Sequence, residues 1–223
     1  GKVMALFAQM NEKMGKIDAK GIDLQVELLR VQKEMEDAAA KVLTPEEHLD
    51  FLVRFSTTAN FMRMQSNGFD PSKEEFLKVF GLRREHEETY SIASRFTETP
   101  AEKVQREEAE KVLKERIKQA LGEERSRDYE MSQDGRFQQA YTAAQRSGLS
   151  IEEARTVWEM QKSAQEQAKK LRQNTALAAD ARRTALEQIR NEAMTSIQEL
   201  YGEQGWQNYQ RGSGAAWLED LVK

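Results

Sequence analysis

Apolar residues recur along this chain at steps of three and four, and nowhere for long at steps of two. Leu24, Leu28, Val31, Met35, Ala38 and Val42 form a heptad seam, the spacing that lines up side chains on one helix face. Upstream, Val3, Phe7, Met10, Met14 and Ile17 carry the same register. The stretch GKIDAKG at residues 15–21 leaves two options: one continuous helix through Val42, or a turn that makes a hairpin. Analogy with the helices downstream favours the turn. Towards the C-terminus, Ile151, Ala154, Val157, Trp158, Ala168 and Leu171 mark one helical stripe, and Ala185, Ile189, Ala193, Ile197 and Leu200 the next. Such stripes bury themselves by packing together as antiparallel hairpins. The pattern predicts an all-α fold.

Helix starts are written into the polar positions. Thr44 with Glu47, Ser72 with Glu75, Thr99 with Glu102 and Ser150 with Glu153 each match the capping box. In that device the hydroxyl and the carboxylate satisfy each other's backbone N–H. The three prolines, Pro45, Pro71 and Pro100, fall at or just before these starts, where a missing N–H costs little. Gly148, after AAQRS, is the expected C-terminal cap of its helix.

A longer pattern overlies these elements. The nine residues LTPEEHLDF from Leu43, LGEERSRDY from Leu121 and YGEQGWQNY from Tyr201 align without gaps. Their first positions are apolar or aromatic (Leu43, Leu121, Tyr201), their eighth Asp or Asn (Asp50, Asp128, Asn208), and their ninth aromatic (Phe51, Tyr129, Tyr209). Flanking segments SKEEFLKVF from Ser72 and SIEEARTVW from Ser150 also correspond. Fixed-period similarity is the mark of a repeated supersecondary unit. The expectation is three similar units (long helix, long helix, corner, short helix) at residues 1–71, 72–149 and 150–223, forming one continuous domain. They would be arranged as an elongated solenoid-like or bundled stack. The corner aromatics would be buried plugs, each costing about 3–5 kcal/mol on truncation to alanine.

Composition narrows the function. Charged residues make up 32% of the chain and hydrophobic ones 39%, with a net charge of −4; the signs are interspersed, without the basic stripe that nucleic acid requires. There is no cysteine, hence no disulfide, thiol nucleophile or thiolate metal site. No run approaches the roughly 20 apolar residues of a membrane span, and no signal peptide is visible. GKVMALFAQM starts abruptly in helical pattern, so the natural start is expected upstream of Gly1.

Candidate chemistry is sparse. His48 and His86 stand alone, and REHEET around His86 is no zinc motif, since a zinc site needs three or four converging ligands. Carboxylates are spread along helix faces without a distinguished acid–base pair. GEERSRDYEMSQDG lacks the alternation of a calcium loop, and KKLRQN and ARRTA read as solvated faces. Trp158, Trp206, Trp217, Phe80, Tyr129 and Tyr209 are expected to pack in the core, with a hydrophobic client groove as the competing reading. The nine methionines suit either a core or an adaptable contact surface. No catalytic, cofactor-binding or metal-binding residue is assigned, and the protein-contact residues stay open.

LTPEE at Leu43 resembles the Leu-Thr-x-x-Gln motif of Spy/CpxP-type periplasmic helical proteins, with Glu47 in place of the motif's Gln. Over residues 22–221, LTPEEHLDFLVRFSTTAN, FDPSKEEFLKVFGLR and LGEERSRDYEMSQD resemble helical envelope proteins of planctomycete and verrucomicrobial bacteria. The resemblance implies an exported or periplasmic bacterial protein, with the cytoplasm as the alternative location. The leading expectation is a non-enzymatic binding or chaperone-like protein that contacts other polypeptides or itself. The alternatives are an oligomerising coiled-coil scaffold and, third, a metal sensor.

Overall fold

All four capping boxes start helices. In the computed structural model, which describes residues 1–223, they open α3 (Pro45–Phe55), α5 (Lys73–Thr89), α6 (Pro100–Leu121) and α9 (Ile151–Gln173). At α5 the Ser72 N–H donates to Glu75 Oε2 at 2.8 Å and the Glu75 N–H to Ser72 Oγ at 3.2 Å. The remaining helices are α1 (Lys2–Met14), α2 (Gly21–Val42), α4 (Thr57–Gln65), α7 (Glu123–Ser132), α8 (Gly135–Arg146), α10 (Ala179–Arg211) and α11 (Ala216–Asp220). A 3-10 turn covers Ala93–Phe96, and there is no strand. The fold is all-α, and no helix is long and apolar enough to cross a membrane.

The heptad register of the first 42 residues breaks between Met14 and Gly21, giving a hairpin. Lys2 Nζ donates to the Val42 carbonyl at 2.8 Å at one end, and Lys13 pairs with Glu34 towards the other. What the sequence presented as one short helix after each corner is two in each case: α3 and α4, α7 and α8, and the part of α10 beyond Gly202 followed by α11. Ser56 ends α3 and caps α4, accepting from the Ala59 N–H at 3.1 Å, and Asp134 caps α8 through the Arg136 N–H at 2.9 Å. α8 closes at Gly148 (φ +71), with the Gly148 N–H on the Gln145 carbonyl and the Leu149 N–H on the Ala144 carbonyl. That is the Schellman pattern.

At the second position of the nine-residue motif the backbone takes the same extended ψ three times: Thr44 at 161°, Gly122 at 167° and Gly202 at 179°. There the incoming helix stops and a new one begins, so Gly202 kinks α10 in its interior. The φ values at the glycines are +81° and +65°, a combination with extended ψ that is essentially restricted to glycine. The ninth-position aromatics Phe51, Tyr129 and Tyr209 are all buried. Of the first-position residues, Tyr201 is buried while Leu43 and Leu121 are half-buried.

Compactness divides the chain differently from the repeat boundaries at 71/72 and 149/150. One unit comprises residues 1–66 and 70–127, the other residues 67–69 and 128–223. In the first, Val31, Met35 and Ala39 of α2, Phe51 and Leu52 of α3, and Val79 and Phe80 of α5 are buried. Phe7, Phe51 and Phe55 form an aromatic triplet, with the Phe7 and Phe55 rings edge-on at 4.9 Å. In the second unit α8, α9 and α10 enclose one apolar cluster that includes Phe137, Val157, Ile197, Tyr209 and Trp217. Alanines at 140, 144, 154 and 168 are entirely buried there, small enough to let the helices approach. α8 falls with α9 and α10 because its inner face is sealed by them: Tyr201 Oη donates to the Ala140 carbonyl at 2.9 Å, and Asn208 Nδ2 to Ser147 Oγ at 2.9 Å.

Candidate functional site

The first unit contains a cleft of about 370 Å³ between α2, α5 and the segment leading into the 3-10 turn. Val26 and Leu29 from α2, with Ile92 and Ala93 opposite, provide its apolar surface. The cleft exists because α2 spends its buried seam elsewhere: Val31, Met35 and Ala39 are turned into the core. The neighbouring stripe of Val26 and Leu29 is left half-covered.

A buried ion pair forms part of the wall. Glu36, 2% exposed, lies 2.6 Å from the Arg84 guanidinium. Its Oε2 has no aligned hydrogen bond, so the contact is chiefly Coulombic. Removing either partner would strand a charge away from water, which is far costlier than replacing both. Gln32 Nε2 braces the site by donating to the Phe55 carbonyl at 3.0 Å.

The rim charges divide by helix. On α2, Arg30 is held by Glu27 and Glu34, and Lys33 by Asp37, all on the same helix. On α5, Glu87 accepts a hydrogen bond from the Thr58 hydroxyl, and Glu88 is exposed. Neither α5 carboxylate meets a cation. The cations of this cleft are neutralised, as are Glu34 and Glu36, and the two acids of α5, Glu87 and Glu88, are not.

Behind Glu87 lies a smaller cavity of about 140 Å³ lined by Thr58, Phe61, Arg83, His86, Arg95 and Leu113 among others. His86 Nε2 is buried without a hydrogen-bond partner. Burial lowers the imidazole pKa, with Glu110 opposing and Arg95, Arg83 and Arg106 reinforcing the shift. Its ring leans on Tyr90 at 5.1 Å. His48 sits on α3, its Nε2 likewise buried and unbonded. No group of three or more His, Asp or Glu side chains is arranged to hold a metal ion.

The aromatics singled out in the sequence are packing residues. Phe80, Tyr129, Tyr209 and Trp217 are buried, while Trp158 and Trp206 are half-buried against the second unit's core. Trp217 Nε1 donates to Tyr209 Oη at 3.0 Å, and Trp158 Nε1 to Asp134 Oδ2 at 3.0 Å. Desolvation pushes the Tyr209 phenol up to about 12 despite that hydrogen bond. Burial would raise the Asp134 carboxyl, but hydrogen bonds from Arg136 and Trp158 outweigh it and hold the group at about 2.

Of the cleft residues, the sequence singled out only Arg84, Glu87 and Glu88, inside REHEET, where the carboxylates read as a solvated helix face. Glu36 reads as one more acid in VQKEMEDAAAKV, and only its place directly after the seam residue Met35 hinted at burial. No protein-family model, curated protein or solved structure matches this chain.

Proposed function

We propose that this protein is a non-enzymatic binding protein of chaperone-like character that takes hold of other polypeptides through residues 1–127. One observation carries the reading. The nine large apolar side chains that stand exposed are Met4, Ile22, Val42, Leu49, Phe61, Met64, Phe96, Val104 and Val112. All belong to the first compact unit and none to the second. They are spread over α1, α2, α3, α4, α6 and the 3-10 turn, so each supplies a small sticky point. Many weak apolar points suit a partner without fixed shape, and methionines add an adaptable surface.

The scaffold reading would need a free coiled-coil seam on α2. Val31 and Met35 at its centre are 2% and 5% exposed, which leaves little for a second chain. A metal-sensing role lacks a converging ligand set. An envelope location belongs to the proposal too, supported by the sequence resemblance alone. The three-unit organisation is likewise inferred, supported by the repeated order of elements and the shared ψ at Thr44, Gly122 and Gly202.

The test is light scattering of a heat-unfolded client enzyme with and without the protein. Substoichiometric suppression is expected, and it should be lost in a Met4→Gln, Phe61→Gln, Met64→Gln variant that keeps its helical signal. Stable self-association with no effect on the client would replace this reading by the scaffold.

A further inference from the structure

The cleft beside α2 differs from the scattered apolar points: it is concave, apolar inside, and carries unbalanced charge of one sign. Its volume of about 370 Å³ is at the small end of ligand pockets, too small for a folded partner but enough for one or two side chains. We propose that it is a docking slot for a basic, apolar polypeptide segment. In that arrangement an aliphatic side chain lies on Val26, Leu29 and Ile92, and a neighbouring Lys or Arg meets Glu87 and Glu88. The inference rests on the polypeptide-binding reading above and adds the chemistry of the segment that is held.

Charge complementarity selects this occupant. Every cation on the rim already has an acid: Arg30 with Glu27 and Glu34, Lys33 with Asp37, Arg84 with Glu36. An acidic segment would therefore find no free cation and would face Glu87 and Glu88 directly. A neutral apolar segment would bury the floor yet desolvate two carboxylates without return. A cation on an apolar stem satisfies both surfaces, since Lys and Arg lay their methylenes on apolar ground and keep the charge at the edge. The Thr58 hydroxyl fixes the Glu87 carboxylate, so one acid is oriented before the partner arrives. The Glu36–Arg84 pair closes the wall as a neutral unit and competes with neither.

Fluorescence anisotropy with the full chain tests this, using a labelled 16-residue peptide of Leu and Lys in helical spacing and its twin with Glu for each Lys. The basic peptide is expected to bind and the acidic one not. Glu87→Gln with Glu88→Gln should weaken binding about tenfold, the loss of roughly one decade of affinity for two screened ion pairs. Leu29→Gln should weaken it independently of salt. Both variants are checked by circular dichroism, and Glu88→Lys on the exposed rim is a further variant that leaves the interior untouched. Equal binding of both peptides, or affinity unchanged in the Glu88→Lys protein, overturns the slot while client suppression leaves the wider reading standing. Saturable binding of a decyltrimethylammonium ion with no peptide binding replaces the segment by a small cationic amphiphile. Absence of both peptide binding and client suppression removes both proposals.

Discussion

Single residues at the corners carry disproportionate weight. Gly122 and Gly202 combine positive φ with extended ψ, and a Cβ at either would meet no neighbouring atom. The cost of Gly122→Ala or Gly202→Ala is thus backbone strain alone, about 1–3 kcal/mol, and the two variants should lose similar stability in urea titrations. A large loss at one and none at the other would show that the two corners differ in kind. Tyr209 is 1% exposed and bonded to Trp217, so Tyr209→Ala should cost about 3–5 kcal/mol, with Tyr209→Phe recovering most of it. Asp134 gives a pH signature. Its folded pKa of about 2 lies below the ordinary value of 3.8 for a free aspartate, so the stabilisation is complete above the unfolded pKa. It is lost as pH falls from about 4 towards 2, on the order of 2 kcal/mol. Asp134→Asn should flatten that part of the stability–pH curve.

At the level of elements, the helices are defined at their starts more sharply than along their lengths. α6 illustrates the contrast. Thr99 and Glu102 exchange hydrogen bonds at 2.7 and 3.3 Å, yet residues 101–105 are all exposed and Ile117 is the one buried residue of the helix. A helix with so little packing in its first turns leans on its cap. Thr99→Ala should cost about 1 kcal/mol and should raise amide exchange in the first two turns of α6 while leaving its Ile117 end protected. Uniform protection along α6 in that variant would mean that the cap is dispensable. The seam of α2 makes a second point: its heptad letters left a continuous helix and a hairpin open, with the hairpin favoured, and the six residues between Met14 and Gly21 break the register so that α1 folds back along α2.

For the whole molecule, the difference between the two compact units is one of core continuity. Residues 128–223 with 67–69 gather most of their large apolar side chains into one cluster. Residues 1–66 with 70–127 leave nine exposed. Slow amide exchange is expected in α8, α9 and the first part of α10, and faster exchange in α1 and the start of α6. The opposite order, measured by mass spectrometry at neutral pH, would contradict the assignment of the adhesive surface to the first unit.

Much of this was determined by the sequence alone. Apolar spacing made the fold all-α, Ser/Thr–x–x–Glu boxes placed four helix starts, and the nine-residue motif located three corners. These features are local: a capping box or a positive-φ glycine acts within a few residues, so its energetics are written in adjacent letters. The tertiary structure decided which residues share a wall. Glu36, Arg84 and Glu87 lie on two helices far apart in sequence, and each reads singly as an ordinary surface charge. Only the tertiary fold brings α2 beside α5, where the first is buried against the second and the third is left with the Thr58 hydroxyl and no cation. Contacts in the second unit likewise decided that α8 joins α9 and α10, because burial is settled by what faces a side chain in space, and no spacing rule carries that information.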